Sequence, residues 1–161
     1  MQAEIVLRAV TPDDEAFLLN LYATTRPEVA QLGWGDAEQQ AFIAMQFQMQ
    51  TRSYAMQCPN AEQSILTKNG ETVGRVIVDR TPTAVSLIDI AVLPEFRGQG
   101  IATAVLELLQ EEVVSADRDV LLTVERMNVT AFNLYRKLGF EIAGEDQIYF
   151  SMKWSPTKSK Q

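Results

Sequence analysis

The sequence predicts a single α/β domain. Three observations carry that reading: strand-like and helix-like segments alternate along the chain, a strong hairpin signal stands near its middle, and no linker, repeat or low-complexity stretch interrupts it. At 161 residues with 47% apolar side chains, the chain is long enough for one real core and too short to suggest two.

Glu4 to Ala9 reads as a short strand, with Ile5 and Leu7 alternating against Glu4, Val6 and Arg8. Thr11-Pro12-Asp13-Asp14 then gives the signals of a helix start: an N-cap threonine, proline at the first position and acids in the first turn. That helix is expected to run to about Ala23. A second fits Asp36 to Ser53, with Phe42, Ile43, Met45, Phe47 and Met49 as its apolar face. Gln63 to Lys68 and Thr72 to Asp79 are strands around Asn69-Gly70, the strongest short hairpin signal. Val85 to Val92 follows through a turn at Thr81-Pro82-Thr83. A helix begins near Gly98, where Ile101, Ala104, Val105, Leu108 and Leu109 recur at spacings of three and four. Val120 to Val124 is a strand, and Val129 to Leu138 is a helix closed by Gly139 in the C-cap position. Glu141 to Ala143 and Gln147 to Lys153 form a last strand pair. The domain is expected to cover residues 1–154, with the Lys/Ser-rich residues 155–161 as a disordered tail.

Composition excludes several function classes. Fourteen basic and 21 acidic side chains give a net charge of −7, which argues against a nucleic-acid surface and suits a cationic acceptor such as an amine. Histidine is absent, so neither a Ser-His-Asp nor a Cys-His site can form. The one cysteine, Cys58, allows no internal disulfide and has no neighbour in sequence that would activate it; no cluster suits zinc, and no metal is expected. Met1 to Arg8 lacks the basic-then-apolar pattern of a signal peptide, and no apolar run approaches the roughly 20 residues of a membrane span. A cytoplasmic protein without membrane or nucleic-acid partners is the expectation.

The most informative stretch is Ile88 to Ala102. An apolar strand stops at Pro94, crosses a turn containing Gly98 and Gly100, and enters a helix. Glycines at such a junction let backbone approach a ligand closely, and the N–H groups of the first helical turn attract anions. This is a cradle for a diphosphate.

Arg97-Gly98-Gln99-Gly100-Ile101-Ala102 fits the pattern R/Q-x-x-G-x-G/A. Together with Ile90-Ala91-Val92-x-Pro94 and Asn128-x-x-Ala131-x-x-x-Tyr135-x-x-x-Gly139-Phe140, it resembles the GNAT superfamily of acyl-CoA-dependent N-acyltransferases. The resemblance covers nearly the whole chain, from Leu7-Arg8-x-x-Thr11-x-x-Asp14 to the final strand. It implies a mixed, mostly antiparallel sheet of six or seven strands flanked by about four helices. It also implies acetyl-CoA as co-substrate and direct transfer of an acetyl group to a primary amine in a ternary complex.

The resemblance assigns roles residue by residue. The backbone of Ile90, Ala91 and Val92 would pair with the pantetheine arm like an added strand. The turn and first helical residues Gly98, Gln99, Gly100, Ile101, Ala102 and Thr103 would hold the diphosphate, with Arg97 at the rim and the Thr103 hydroxyl as a further donor. Asn128 would steady the pantetheine; its other reading is an N-cap before the Val129 helix. Tyr135 would protonate the departing thiolate, a phenol of pKa about 10 serving a thiolate of pKa near 8.5. Its other reading is an aromatic packed beside Phe132 and Phe140.

The general base stays open between Asp89, Glu125 and a water. Asp89 interrupts an apolar strand, and a three-residue turn at Thr81 to Thr83 would set it across from Arg75 as an ion pair. Acceptor recognition in the family comes from the first two helices, their loop and the last strands. Here that region offers Trp34 between two glycines, then Met45, Phe47, Gln48, Met49, Gln50 and Tyr54. The resemblance implies a small-molecule or peptide amine as acceptor, and homodimers are common among similar proteins. The alternative function is a non-catalytic acyl-CoA-binding or sensor module on the same fold. A nucleotide-binding domain lacks support, because no Lys-Ser/Thr follows the glycines and the three-glycine spacing is missing.

Overall fold

A computed structural model describes residues 4–156. Seven strands form one mixed sheet in the order β1-β2-β3-β4-β5-β7-β6. They are β1 (Ile5–Ala9), β2 (Glu62–Lys68), β3 (Glu71–Arg80), β4 (Ala84–Val92), β5 (Asp119–Glu125), β6 (Glu141–Glu145) and β7 (Tyr149–Trp154). Four α-helices accompany them among the described residues: α1 (Glu15–Thr24), α2 (Asp36–Gln57), α3 (Ile101–Val114) and α4 (Val129–Lys137). Each element expected from the sequence is present, with ends shifted by a few residues. Three short 3-10 helices, at Pro12–Asp14, Pro27–Leu32 and Pro94–Phe96, were not expected as such. Contacts divide the chain into two compact units, one holding the residues up to Arg75 with Ala91–Arg97, the other Val76–Ile90 with the residues from Gly98 on.

In the first unit β1 pairs antiparallel with β2, from Ile5 opposite Lys68 to Ala9 opposite Ser64. The β2–β3 turn is the expected Asn69-Gly70, with φ of 51° and 86°. Two successive left-handed residues match the twist of a tight hairpin. Tyr22, Val29 and Ile43 bury together, with Phe42 and Phe47 packed against them. The sequence reading of α2 needs correcting here. Met45, Met49 and Met56 are exposed, by 50%, 60% and 83%. At about 100° per residue they form one stripe on the far side of the helix from Ile43, Phe47 and Tyr54. Treating Met45 and Met49 as one face with Ile43 and Phe47 merged two opposite faces.

Thr11 is the N-cap, as expected, and its capping box is tied down by Asp14. Thr11 N–H donates to Asp14 Oδ2 at 2.8 Å, and Arg8 clamps both carboxylate oxygens at 2.7 and 2.9 Å. The Arg8 guanidinium and the Thr11 N–H hold the Asp14 carboxyl well below the usual carboxylate range. A depressed folded pKa stabilises the fold fully at neutral pH, and the effect is lost as pH falls below the unfolded value of about 4. Asp14→Asn should therefore lower the melting temperature at pH 7, with a gap from the parent that shrinks from about pH 4 downward. A gap unchanged in stronger acid would show that neutral hydrogen bonds, not charge, do the stabilising.

In the second unit β4 pairs parallel with β5, while β5 pairs antiparallel with β7 and β7 with β6. The apolar stripe of α3 packs on β5, burying Ile101, Val105, Leu106, Leu109 and Val113. The β3–β4 hairpin is tighter than the three-residue turn expected: Thr81 N–H donates to the Ala84 carbonyl at 2.9 Å, so Thr81 faces Ala84 across Pro82-Thr83. Ser155, assigned to the tail by the sequence reading, is half-buried and donates from Oγ to Asp119 Oδ1 at 2.7 Å. Residues 157–161 of that tail lie outside the described residues. Among the described residues no helix is long and apolar enough to cross a membrane.

Candidate functional site

The site begins where a strand pairing stops. β4 and β5 are in register from Ala84 opposite Asp119 to Leu87 opposite Leu122. Both strands run on, β4 to Val92 and β5 to Glu125, yet the ladder between them ends at Leu87. An unpaired sheet edge carries main-chain donors and acceptors that an extended ligand can take up. Ile90 and Ala91 lie on that stretch, as expected. Val92 departs from the expectation in one respect: its carbonyl accepts from Arg97 Nε at 3.0 Å. Arg97 thus straps the end of β4 with one nitrogen and keeps its two terminal nitrogens for other acceptors.

The turn that follows brings N–H groups together. Pro94–Phe96 makes one 3-10 turn, then Gly98 and Gly100 adopt φ of 76° and 80°. Only glycine takes such angles without strain. Gly100 is the N-cap of α3, and its carbonyl accepts from Ala104 N–H at 3.0 Å. No side chain caps this helix and its first turn holds no acid, so the N–H groups of Ile101, Ala102 and Thr103 present uncompensated positive potential. Among the described residues, chain neighbours aside, an added Cβ at Gly98 or Gly100 would meet no atom within 4 Å. The glycines answer to backbone angle and to whatever approaches from outside.

Asn128 does what its plainer reading held: Oδ1 accepts from Ala131 N–H at 3.2 Å and caps α4. That leaves its amide N–H₂ as the donor a ligand could use. Tyr135 is held firmly. The Gly139 N–H donates to Arg136 and the Phe140 N–H to the Tyr135 carbonyl, both at 3.0 Å, closing α4 in a Schellman motif at the expected glycine. The Tyr135 ring lies 6.1 Å from that of Phe140, which is buried. Phe132, expected beside it, pairs instead with Phe150 at 5.0 Å. Tyr135 is only 9% exposed, and its phenol is pushed above the ordinary value by burial and, less, by the charge of Asp89.

Of the candidate bases, Asp89 lies on the β4 stretch past the last β5 pair, within electrostatic reach of Tyr135. Glu125 ends β5, exposed, and its carbonyl accepts from Asn128 N–H at 3.0 Å. Arg75 is buried and has partners the sequence did not suggest: it donates to Gln63 and Gln50 Oε1, at 3.0 Å each.

Trp34 remains partly exposed, with its ring edge-on to Phe42 at 5.2 Å and its carbonyl accepting from Gln39 Nε2 at 2.8 Å. In the same unit, α1 and α2 flank a cavity of about 470 Å³ whose lining includes Leu19, Arg26, Val29, Gln39 and Ile43. Met45 and Met49, offered by the sequence as pocket-lining or core, face outward. One residue of the site escaped the sequence reading altogether: Gly74, in the middle of β3. An added Cβ there would run into the Ala91 carbonyl oxygen. A glycine within an otherwise apolar strand run was the available signal.

Residues 60–142 match the family model described as an acetyltransferase (GNAT) domain. An N-alpha-acetyltransferase of Sulfurisphaera tokodaii is 36% identical over 88 residues, covering 45% of this chain and 52% of the relative. The ribosomal protein bS18-alanine N-acetyltransferase of Escherichia coli is 34% identical over 86 residues, covering 53% of this chain and 58% of the relative. The chain therefore spans little more than half the length of the curated relatives it matches. Among solved structures, PaiA N-acetyltransferase from Thermoplasma acidophilum in complex with coenzyme A aligns with a TM-score of 0.69 at 15% identity, covering 94% of this chain and 99% of that one. That likeness is one of fold.

Proposed function

The chain belongs to the GNAT acetyltransferase family, and from that premise we propose that it transfers an acetyl group from acetyl-CoA to a primary amine by direct attack in a ternary complex. The observation that carries the reading is the pairing lost after Leu87, which frees the edge of β4 just before an uncapped helix N-terminus. A ligand that is extended at one end and doubly anionic at the other fits that order of features, and acetyl-CoA is such a ligand.

In this reading the main chain of Ile90 and Ala91 with the Val92 N–H pairs with the pantetheine arm. The N–H groups from Gly98 to Thr103 converge on the diphosphate, and the terminal nitrogens of Arg97 add charge at the rim. A neutral amine attacks the acetyl carbonyl carbon; the new C–N bond forms as the C–S bond breaks. The Tyr135 hydroxyl gives its proton to the departing sulfur, and the proton shed by the amine nitrogen returns the balance through solvent. Burial and the Asp89 charge both keep the Tyr135 proton in place at neutral pH, as a general acid requires. Main-chain N–H groups near Val92 polarise the acetyl carbonyl.

The acceptor amine docks on the first unit, with Trp34 and the groove between α1 and α2 as its contact surface. The names of the curated relatives make a peptide α-amine the first acceptor to test. A cytoplasmic location belongs to the same reading. The direct assay follows thiol release from acetyl-CoA with a panel of peptides, polyamines and aminoglycoside-type amines, with mass spectrometry of the products. Amine-dependent release with an acetylated product is expected. Tight acetyl-CoA binding without turnover on the whole panel would instead favour a non-catalytic binding module.

A further inference from the structure

Gly74 lies inside β3 among residues that are buried from Val73 to Val78. A glycine weakens a strand interior, and it is retained where another backbone comes too close for a side chain. Its φ is outside the left-handed region, so space rather than angle is what the position needs. The space is taken by the end of β4. A Cβ on Gly74 would collide with the Ala91 carbonyl oxygen and stand 3.1 Å from Val92 Cα and 3.2 Å from the Ala91 carbonyl carbon. All three are main-chain atoms, which cannot swing aside as a side-chain tip can.

The register explains the close approach. Thr81 faces Ala84 at the hairpin, and Leu93 N–H donates to the Val73 carbonyl at 2.8 Å. Val73 lies eight residues before Thr81, whereas Leu93 lies nine after Ala84. β4 thus carries one residue more than β3 between the two pairs, the count of a β-bulge. The extra residue must be accommodated, and the side chain missing at Gly74 makes the room.

We propose that Gly74 is a positioning residue for acyl-CoA: the room it leaves on β3 sets where the backbone of Ala91 and Val92 is presented to the pantetheine arm. The proposal rests on the acetyl-CoA reading above. Gly74→Ala would push the Ala91 carbonyl outward and mis-set the pairing edge.

The test measures acetyl-CoA affinity by calorimetry beside the melting temperature, in Gly74→Ala and in a control, Val78→Ala, which opens a cavity in the same strand away from Ala91. Both variants should melt lower. Only Gly74→Ala should weaken acetyl-CoA binding, by tenfold or more, while Val78→Ala stays within twofold of the parent. If Gly74→Ala does not fold, Leu93→Pro removes the N–H given to Val73 at a φ of −54° that proline accepts, and it should show the same tenfold loss. Undiminished affinity in folded Gly74→Ala, or in Leu93→Pro, overturns the proposal while the functional reading stands. A parent chain that does not bind acetyl-CoA overturns both.

Discussion

Tyr135→Phe should lower kcat by about 10²-fold or more while the Kd for acetyl-CoA stays within about twofold, in line with the usual worth of a positioned general acid. A hundredfold loss corresponds to about 2.7 kcal/mol of transition-state stabilisation. The substitution is unusually clean. The ring and its contact with Phe140 remain, and the Schellman closure that fixes the helix end uses only main-chain atoms of residues 135 to 140. What leaves is one hydroxyl. The pH profile adds an independent readout. Burial and the Asp89 charge raise the phenol above its ordinary value of about 10, so the acid stays protonated through neutral pH and its loss appears only on the far alkaline limb. The phenylalanine variant should be slow at every pH and should lack that limb. Asp89→Asn should move the limb toward lower pH, because one of the two causes holding the proton has gone. Turnover unchanged in Tyr135→Phe, with normal acetyl-CoA binding, would remove Tyr135 from the chemistry.

Features encoded locally were legible in the sequence. Asn69-Gly70 specifies a turn by backbone angles alone, and Gly139 specifies a helix end in the same way. The stripe on α3 reports burial on a helix with one face covered. Features set by a partner strand were not legible. That β4 leaves β5 after Leu87 and carries one residue more than β3 are relations between strands, and periodicity carries no count of that kind. Gly74 reads as an anonymous interruption until Ala91 is seen above it. The methionines of α2 misled for another reason. Methionine is apolar enough to mimic a core position and flexible enough to be tolerated in water, so its spacing alone could not tell which side of the helix α1 would cover. For the site, the proposed donor half lies, Asn128 apart, on the continuous stretch from Ile90 to Thr103, where a motif can propose roles residue by residue. The acceptor half is assembled from separate elements: among its candidates Trp34 kept a partly exposed place, Phe47 and Gln48 line a cavity with Leu18 and Thr51, and Met45 and Met49 face outward.

Gly100→Ala should raise the Kd for acetyl-CoA at least tenfold, with a much smaller effect on folding. The separation between the two effects gives the experiment its force. At φ of 80° an alanine incurs strain of about 1–2 kcal/mol, which shows as a modest fall in melting temperature. Among the described residues, chain neighbours aside, nothing opposes the new methyl group within 4 Å. If the turn merely connected β4 to α3, affinity would follow stability and change little once the variant is folded. If the turn is a diphosphate cradle, the methyl group stands where phosphate oxygens must approach the N–H groups of α3, and each tenfold loss of affinity marks about 1.4 kcal/mol. Salt offers a check on the same claim. Charge attraction between the helix terminus, Arg97 and a diphosphate is screened by ions, so the parent's affinity should fall with ionic strength. A fragment of the ligand lacking the diphosphate should bind parent and Gly100→Ala alike. Equal loss for that fragment would place the defect in the fold rather than the cradle.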